Sequence, residues 1–342
     1  MKTYLLPQKG DFYKANLHSH TTFSDAAKTP QEVKEIYKNM GYSVLAITDH
    51  EILFPHDELN DKDFLCLHGF EMDVSQKDNP ENLPFRFIKS CHIGFIALEP
   101  DNLIQPCYNR EKYVYGDALK HRDKIKFDDS LPDYIRDVTP ESITDIMTTA
   151  REKGFFVTYN HPTWNGQSYD EYMGFHGMHA VEIFNGGCIV GGYGDNDIKA
   201  YDDFLRSNRP LYCIGADDNH NIFAPDSRKY DSGIAFTMIK AEKLEYRAIT
   251  KALEEGNFYA SCGPLIEELY FEDGKIHIKC SEADSIICNY GVRRTETAYS
   301  EGEPLKEAVF SVETADKFFR ITVTDKNGTK ACTNGYFTKD LF

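Results

Sequence analysis

The chemistry in this sequence is carried by histidines that stand beside acids at the ends of apolar runs. His18-Ser19-His20 follows the short run Tyr13-Lys14-Ala15-Asn16-Leu17. Two imidazoles at i and i+2 of an extended strand share a face, so both can reach one ion. Asp25 follows five residues later, and Thr48-Asp49-His50 closes the run SVLAIT. Glu71 ends a further run, His92 begins one, Asn160-His161-Pro162 follows FFVTY, and Asp217-Asp218-Asn219-His220 follows LYCI. Singly, each has an ordinary reading: a hydrogen-bonded structural imidazole, or a carboxylate that caps a helix or shapes a turn. Jointly, six of the twelve His and three carboxylates recur at strand ends. Nitrogen and oxygen donors of this kind suit zinc, manganese or iron. Nine ligands exceed what one ion holds, so two or three divalent ions are expected.

Other residues carry secondary expectations. Asp49 is expected to orient a ligand imidazole through its other ring nitrogen, with a strand-end cap as the alternative. Arg228 and Lys229, just past the last motif, and Arg110, with Lys112 and Tyr113 near it, are the candidate contacts for an anionic substrate. Glu182 sits near a strand end, as a site wall or a structural carboxylate. Trp164, the only Trp, walls the pocket or fills core. Cys91 alternates away from His92 and reads as buried filler.

These residues need elements to hold them. Strands are expected at residues 43–48, 64–70, 92–98, 155–159, 180–184 and 211–214, mostly as continuous apolar runs covered on both faces. Helices are expected between them. Thr29-Pro30-Gln31-Glu32 is a capping box with Pro at the first helical position, and Thr139-Pro140-Glu141 opens a second helix. Two more are expected at about 197–207 and 241–255. Alternating strands and helices predict an α/β fold with a mostly parallel sheet, closed or open. Residues 99–138 are polar and aperiodic, which reads as a lid or insertion. After Gly263-Pro264 the runs become short and alternating, which reads as a small C-terminal antiparallel β domain over 266–342.

Composition bounds the partners. The net charge of −17 speaks against a duplex nucleic-acid or anionic-membrane binder. Nine cysteines without a CxxC pair suit free thiols in a reducing compartment. No signal-peptide pattern and no apolar run of about 18 residues occurs. The expected location is the cytoplasm.

The ordered segments Leu17-His18-Ser19-His20-Thr21-Thr22-Phe23-Ser24-Asp25, Ile47-Thr48-Asp49-His50 and Gly215-Ala216-Asp217-Asp218-Asn219-His220 resemble the PHP (polymerase and histidinol phosphatase) domain of metal-dependent phosphoesterases. Residues 256–264 (GNFYASCGP) look like the CehA/McbA-type branch. The resemblance implies a distorted (β/α)7 barrel over residues 1–265 with up to three metals. It implies a first ion on His18, His20, Glu71 and Asp218, and a second on Glu71, His92 and His161. A third would lie on Asp25, His50 and His220. Asp25 stands where some relatives carry His, so two ions remain open. Asp218 is preferred over Asp217 because it stands two residues before His220. Glu71, His161 and Asp49 are the expected catalytic residues. The expected reaction is hydrolysis of a small phosphorylated metabolite or nucleotide by a hydroxide bridging two ions. Alternatives are a carboxyl-ester or carbamate hydrolase with the same ions, and a non-catalytic binding module.

Overall fold

The computed structural model describes residues 2–76, 83–84, 87–194 and 197–342. Strands β1 (Lys2–Tyr4), β2 (Asp11–Asn16), β3 (Val44–Ile47), β4 (Leu65–Ser75), β5 (Ser90–Ala97), β6 (Phe155–Tyr159), β7 (Ala180–Asn185), β8 (Tyr212–Ala216), β9 (Phe236–Ala241) and β10 (Phe258–Ser261) come first. They alternate with helices α1 (Pro30–Asn39), α2 (Pro140–Glu152), α3 (Pro162–Asn165), α4 (Tyr169–Tyr172), α5 (Gly186–Gly191), α6 (Ile198–Arg206) and α7 (Tyr246–Glu255). The rest is β: β11 (Ile266–Glu272), β12 (Lys275–Ala283), β13 (Ser285–Tyr290), β14 (Thr295–Tyr299), β15 (Leu305–Ser311), β16 (Phe318–Thr324), β17 (Lys330–Thr333) and β18 (Tyr336–Phe337). Among the described residues these form a mixed α/β fold with one large sheet and a second, antiparallel one.

Local chemistry explains the helices. Both expected caps form: Thr29 makes the full capping box with Glu32, and the Thr139 hydroxyl accepts from the Ser142 amide, with Pro at the first turn each time. Burial on both faces explains the continuous apolar strands. In β3, Val44 and Ala46 enter one core cluster while Leu45 and Ile47 enter another.

Two expectations are corrected. The helix expected at 241–255 begins only at Tyr246, because residues Phe236–Ala241 form β9 between β2 and β10. The sheet is also less parallel than expected. Pairs β2–β3, β3–β4, β6–β7 and β7–β8 are parallel, but β5 runs antiparallel to both β4 and β6. Glu71 therefore does not end its strand. β4 continues to Ser75 because Met72–Ser75 pair with the returning β5. That reversal brings the start of β5, with His92, to the rim where the parallel strands end.

The large sheet runs β14-β13-β16-β17-β10-β9-β2-β3-β4-β5-β6-β7-β8, with β18 on β16. Beyond their ends, β8 and β2 meet again. Ser19 and Asn219 form a parallel bridge, the His20 amide donates to the Asn219 carbonyl at 3.1 Å, and the Asp218 amide donates to the His18 carbonyl at 2.9 Å. The C-terminal strands divide. β11, β12 and β15 make the second sheet together with β1, whereas β17 pairs with β10 and so joins the large sheet. Among the described residues no helix is long and apolar enough to cross a membrane. None of the nine cysteines forms a disulfide.

His179 supplies a pH probe of this framework. Its Nδ1 accepts from the Val157 amide at 3.0 Å, and its ring stacks on Phe156. Burial holds its pKa down to about 4. A depressed folded pKa means stability is intact above the unfolded value of about 6.5 and is lost as pH falls toward 4. We expect a loss with a ceiling of about 3 kcal/mol, reduced by the ring's partial exposure. Urea melts of wild type and His179→Gln at pH 7 and 4.5 check this. A wild-type loss no larger than the variant's refutes it.

Candidate metal centre

All nine candidate ligands converge at one rim. Four overlapping groups have ligand atoms within 4.8 Å of one another. They are His18, His20, Glu71 and Asp218; His50, Glu71 and His92; His20, Asp25, His50 and His220; and His18, His161 and Glu182. Glu71 lies at the centre. Its carboxylate is 3.1 Å from His18 Nε2, 3.4 Å from His20 Nε2, 3.3 Å from Nδ1 of both His50 and His92, and 3.2 Å from His161 Nε2. Asp218 Oδ1 is 3.2 Å from His18 Nε2 and 3.0 Å from His20 Nε2. Asp25 reaches His50 at 3.6 Å and His220 at 3.4 Å.

The backbone explains the convergence. His18 and His20 sit on the extended continuation of β2, two residues apart, with their Nε2 atoms 3.2 Å from each other. The parallel bridge between His50 and Glu71 fixes the β3 end against β4. Gly94 stands opposite Glu71 in the β4–β5 ladder. A Cβ at Gly94 would lie 2.4 Å from Thr158 Oγ1 and 3.0 Å from Asn160 Oδ1. Glycine there leaves room for the Asn160 amide, which donates to Glu71 at 2.8 Å. His161 and Asp218 both adopt left-handed backbone, at φ +28° and +52°. Such conformations cost about 1–2 kcal/mol and cluster where geometry serves function.

Electrostatics show how strongly these groups act on one another. Burial alone would raise Glu71, but His18 and His92 with hydrogen bonds from His161 and His18 hold it well below the usual carboxylate range. Burial likewise opposes charge on His20 and His92, yet the facing carboxylates raise them to about 10 and about 9. His18 is raised as well, against its burial, by Asp218, Glu71 and Glu182. Burial and the charge on His20 push His50 down to about 3. Nδ1 of His20, His50 and His161 and Nε2 of His92 are buried without a hydrogen-bond partner. Cations would satisfy the ring nitrogens that face Glu71 and Asp218, His50 Nδ1 among them, and the three carboxylates together, so the donor set fits divalent metals.

Glu182 is completely buried and holds this set in place. Its Oε1 lies 3.0 Å from His18 Nδ1, and its Oε2 accepts from the His161 amide at 3.0 Å and from Asn185 at 2.9 Å. Putting the His18 proton on Nδ1 leaves Nε2 free for an ion. The structure separates the adjacent aspartates. Asp217 accepts from the amides of Gly233, Ile234 and Ala235 and from the Tyr37 hydroxyl, so it braces the chain. Asp218 faces the imidazoles.

Asp49 is a correction. Its oxygens contact no ligand imidazole; they accept from the Thr21 amide at 2.8 Å, the Thr21 hydroxyl at 2.6 Å and the Ser24 hydroxyl at 2.5 Å. It clamps the turn between His20 and Asp25, which makes it a positioning residue. We expect Asp49→Ala to lower stability by about 2–3 kcal/mol and to weaken the Asp25 group selectively. Denaturant melts and metal stoichiometry check this; full stability with full loading would refute the clamp.

The expected anion contacts divide too. Arg110 is committed to Asp133 and to the carbonyls of Asp129 and Leu131, within the insertion. Arg228 is exposed and does not line the cavities beside the cluster. Lys229 lines a cavity of about 400 Å³ together with Asp218, His220 and Trp164. A second cavity, of about 570 Å³, is lined by Asp73, Tyr113, Tyr115 and Arg136, and Arg136 is neutralised by Glu51 at 2.7 Å. The insertion packs Val114, Ala118 and Ile125 on Ile52, with Phe23 and Tyr108 alongside. Asn160 and the Arg136–Glu51 pair were missed as site neighbours. The Asn-His-Pro triplet offered a signal for the first; nothing local signals the second.

No family model and no curated protein matches this chain. Solved structures do. One is a two-domain protein from Bacteroides vulgatus described as containing a predicted PHP-like metal-dependent phosphoesterase, at 16% identity over 98% of this chain and 97% of that one, TM-score 0.43. A candidate metal-dependent phosphoesterase from Bifidobacterium adolescentis matches at 17% identity over 65% of this chain and 91% of that one, TM-score 0.38. An amidohydrolase from Chromobacterium violaceum, with sulfate and no metal bound, matches at 15% over 71% and 96%, TM-score 0.40. At such identities and scores the likenesses carry no functional argument. That argument comes from the ligand geometry.

Proposed function

We propose that this protein is a metal-dependent hydrolase of the PHP type, acting as a phosphoesterase on a small phosphorylated metabolite or nucleotide. One observation carries the reading: five imidazoles surround the single buried carboxylate of Glu71 within 3.4 Å. Neutral, they would turn lone pairs on one another; fully protonated, they would overcharge a dry site. Shared divalent ions resolve both. The ligands would be His18, His20, Glu71 and Asp218; Glu71, His92 and His161; and Asp25, His50 and His220, for two or three ions of zinc, manganese or iron. When bound, such ions supply Lewis acidity and bring the ionisation of water near neutral pH.

The chain's own residues do the rest. Glu182 fixes the tautomer of His18 and the backbone of His161. Asn160 steadies Glu71. Asp49 holds the turn that carries Asp25. Lys229 stands at the cavity beside Asp218 and would take a phosphoryl oxygen. The β2–β8 contacts support a closed, distorted (β/α)7 barrel over residues 1–265, with a β unit over 266–342. Residues 256–264 support the CehA/McbA-like branch, and nine free thiols a cytoplasmic location.

One feature favours a second reading, a carboxyl-ester or carbamate hydrolase. Among the described residues the cavity beside Asp218 has one Lys, Lys229, and no Arg, with apolar walls of Val190, Ile222, Phe223 and Trp164. Metal-loaded protein assayed on p-nitrophenyl phosphate, nucleotides, aryl esters and carbamates separates the two. Phosphate ester turnover supports the first reading. Full loading with turnover of esters or carbamates alone moves the assignment to the second. Less than one ion per chain overturns both and revives a binding module.

A further inference from the structure

We infer that the cavity beside Asp218 and His220 seats a planar apolar ring carried by the leaving group of the ester, phenyl- to purine-sized. This rests on the phosphoester reading above and names its substrate class. The cavity volume, about 400 Å³, is that of a small-ligand site. One side is the metal set itself: Trp164 packs at 4.7 Å from the His92 ring and 5.0 Å from the His161 ring. Ile222 and Phe223, which are 65% and 44% exposed, line the same cavity. Large apolar side chains held in water beside a polar site call for a partner.

The residues just before Ile222 and Phe223 are tied down. The His220 amide donates to Asp231 Oδ2 at 2.8 Å, and the Asn221 amide donates to Asp231 Oδ1 at 3.1 Å. Asn221 Nδ2 donates to Ser232 at 2.6 Å, and Asn221 takes left-handed backbone at φ +51°. The turn after His220 carries Ile222 and Phe223 into the lining that Trp164 shares. Lys229 Nζ stands 5.4 Å from the Phe223 ring and leaves one cation for the acidic end of the ligand. The polar lining, Asp218, His220, Lys229 and Asp231, gathers with the metal set, while Trp164, Val190, Ile222 and Phe223 give the cavity apolar wall for a ring.

Trp164 is the only tryptophan, so its emission reports on the cavity without any turnover. The test titrates metal-loaded protein with phenylphosphonate, methylphosphonate and inorganic phosphate, following Trp164 emission and, in parallel, heat of binding. The P–C bond of the phosphonates survives, so binding alone is read. We expect phenylphosphonate to bind about tenfold or more tighter than methylphosphonate. Phe223→Ala, at a half-exposed position, should weaken phenylphosphonate about fivefold and leave methylphosphonate unchanged. Equal affinities for the two phosphonates, or equal weakening of both by Phe223→Ala, overturn the apolar subsite and leave the phosphoester reading standing. Loaded protein that binds none of the three probes overturns both, at the phosphoester reading.

Discussion

Glu71→Gln is expected to lower the hydrolysis rate by about three orders of magnitude or more and to remove at least one ion per chain. The carboxylate faces five imidazoles, and among the described residues no other acid stands within reach of all of them. A Gln keeps the volume and one acceptor oxygen for Asn160, so the β4–β5 ladder should persist. It loses the negative charge and the second anionic oxygen, and with them the ability to bridge two cations. Metal content by elemental analysis, with kcat on the best ester substrate, checks the result. A variant that keeps its full metal complement and rate would place the reaction elsewhere. Glu182→Gln, by contrast, should act through the His18 ring and the His161 backbone and cost less, since on that ring it touches only the far nitrogen.

Removing the metals is expected to have the second largest effect, with a definite pH sign. In the metal-free site His20 and His92 hold protons up to about 10 and about 9. Ions must displace those protons, so metal affinity should rise steadily from pH 7 to about 9. The metal-free protein moves the other way. A raised folded pKa gives stability that is fully present below the unfolded value of about 6.5 and is lost as pH rises through the folded one. The gap in Tm between loaded and chelated protein should therefore widen between pH 7 and 9. At ion concentrations a thousandfold above Kd the stabilisation is about 4 kcal/mol. Calorimetric melts with and without chelator at both pH values measure it. A gap that narrows toward pH 9 contradicts the proton-displacement account.

Much of the site was legible because ligand chemistry restricts residue types. All nine positions expected to bind metal lie in the converged groups, and Asp218 rather than Asp217 faces the imidazoles. Less was legible where geometry decides. Asp49 reads identically in sequence as an orienter of histidine or a turn clamp; only the approach of Thr21 and Ser24 makes it the clamp. Arg110 looks available in sequence, but the insertion folds it onto its own carbonyls. β9 was hidden because Phe236–Ala241 runs nearly without a break toward the helix at Tyr246, and short apolar runs do not distinguish strand from helix.

By itself the sequence determined which side chains can bind cations, where most strands end, and how the helices at Thr29 and Thr139 begin. These follow from donor chemistry, apolar runs and caps, all of which act within a few residues. Tertiary structure alone decided that β5 runs backwards and so delivers His92 from a strand's beginning to the rim where the others end. It alone joined β17 to β10 across the expected boundary, and brought Glu182 behind His18. Strand direction and pairing are set by which distant edges bury each other best, and that competition leaves no mark in any local window of residues.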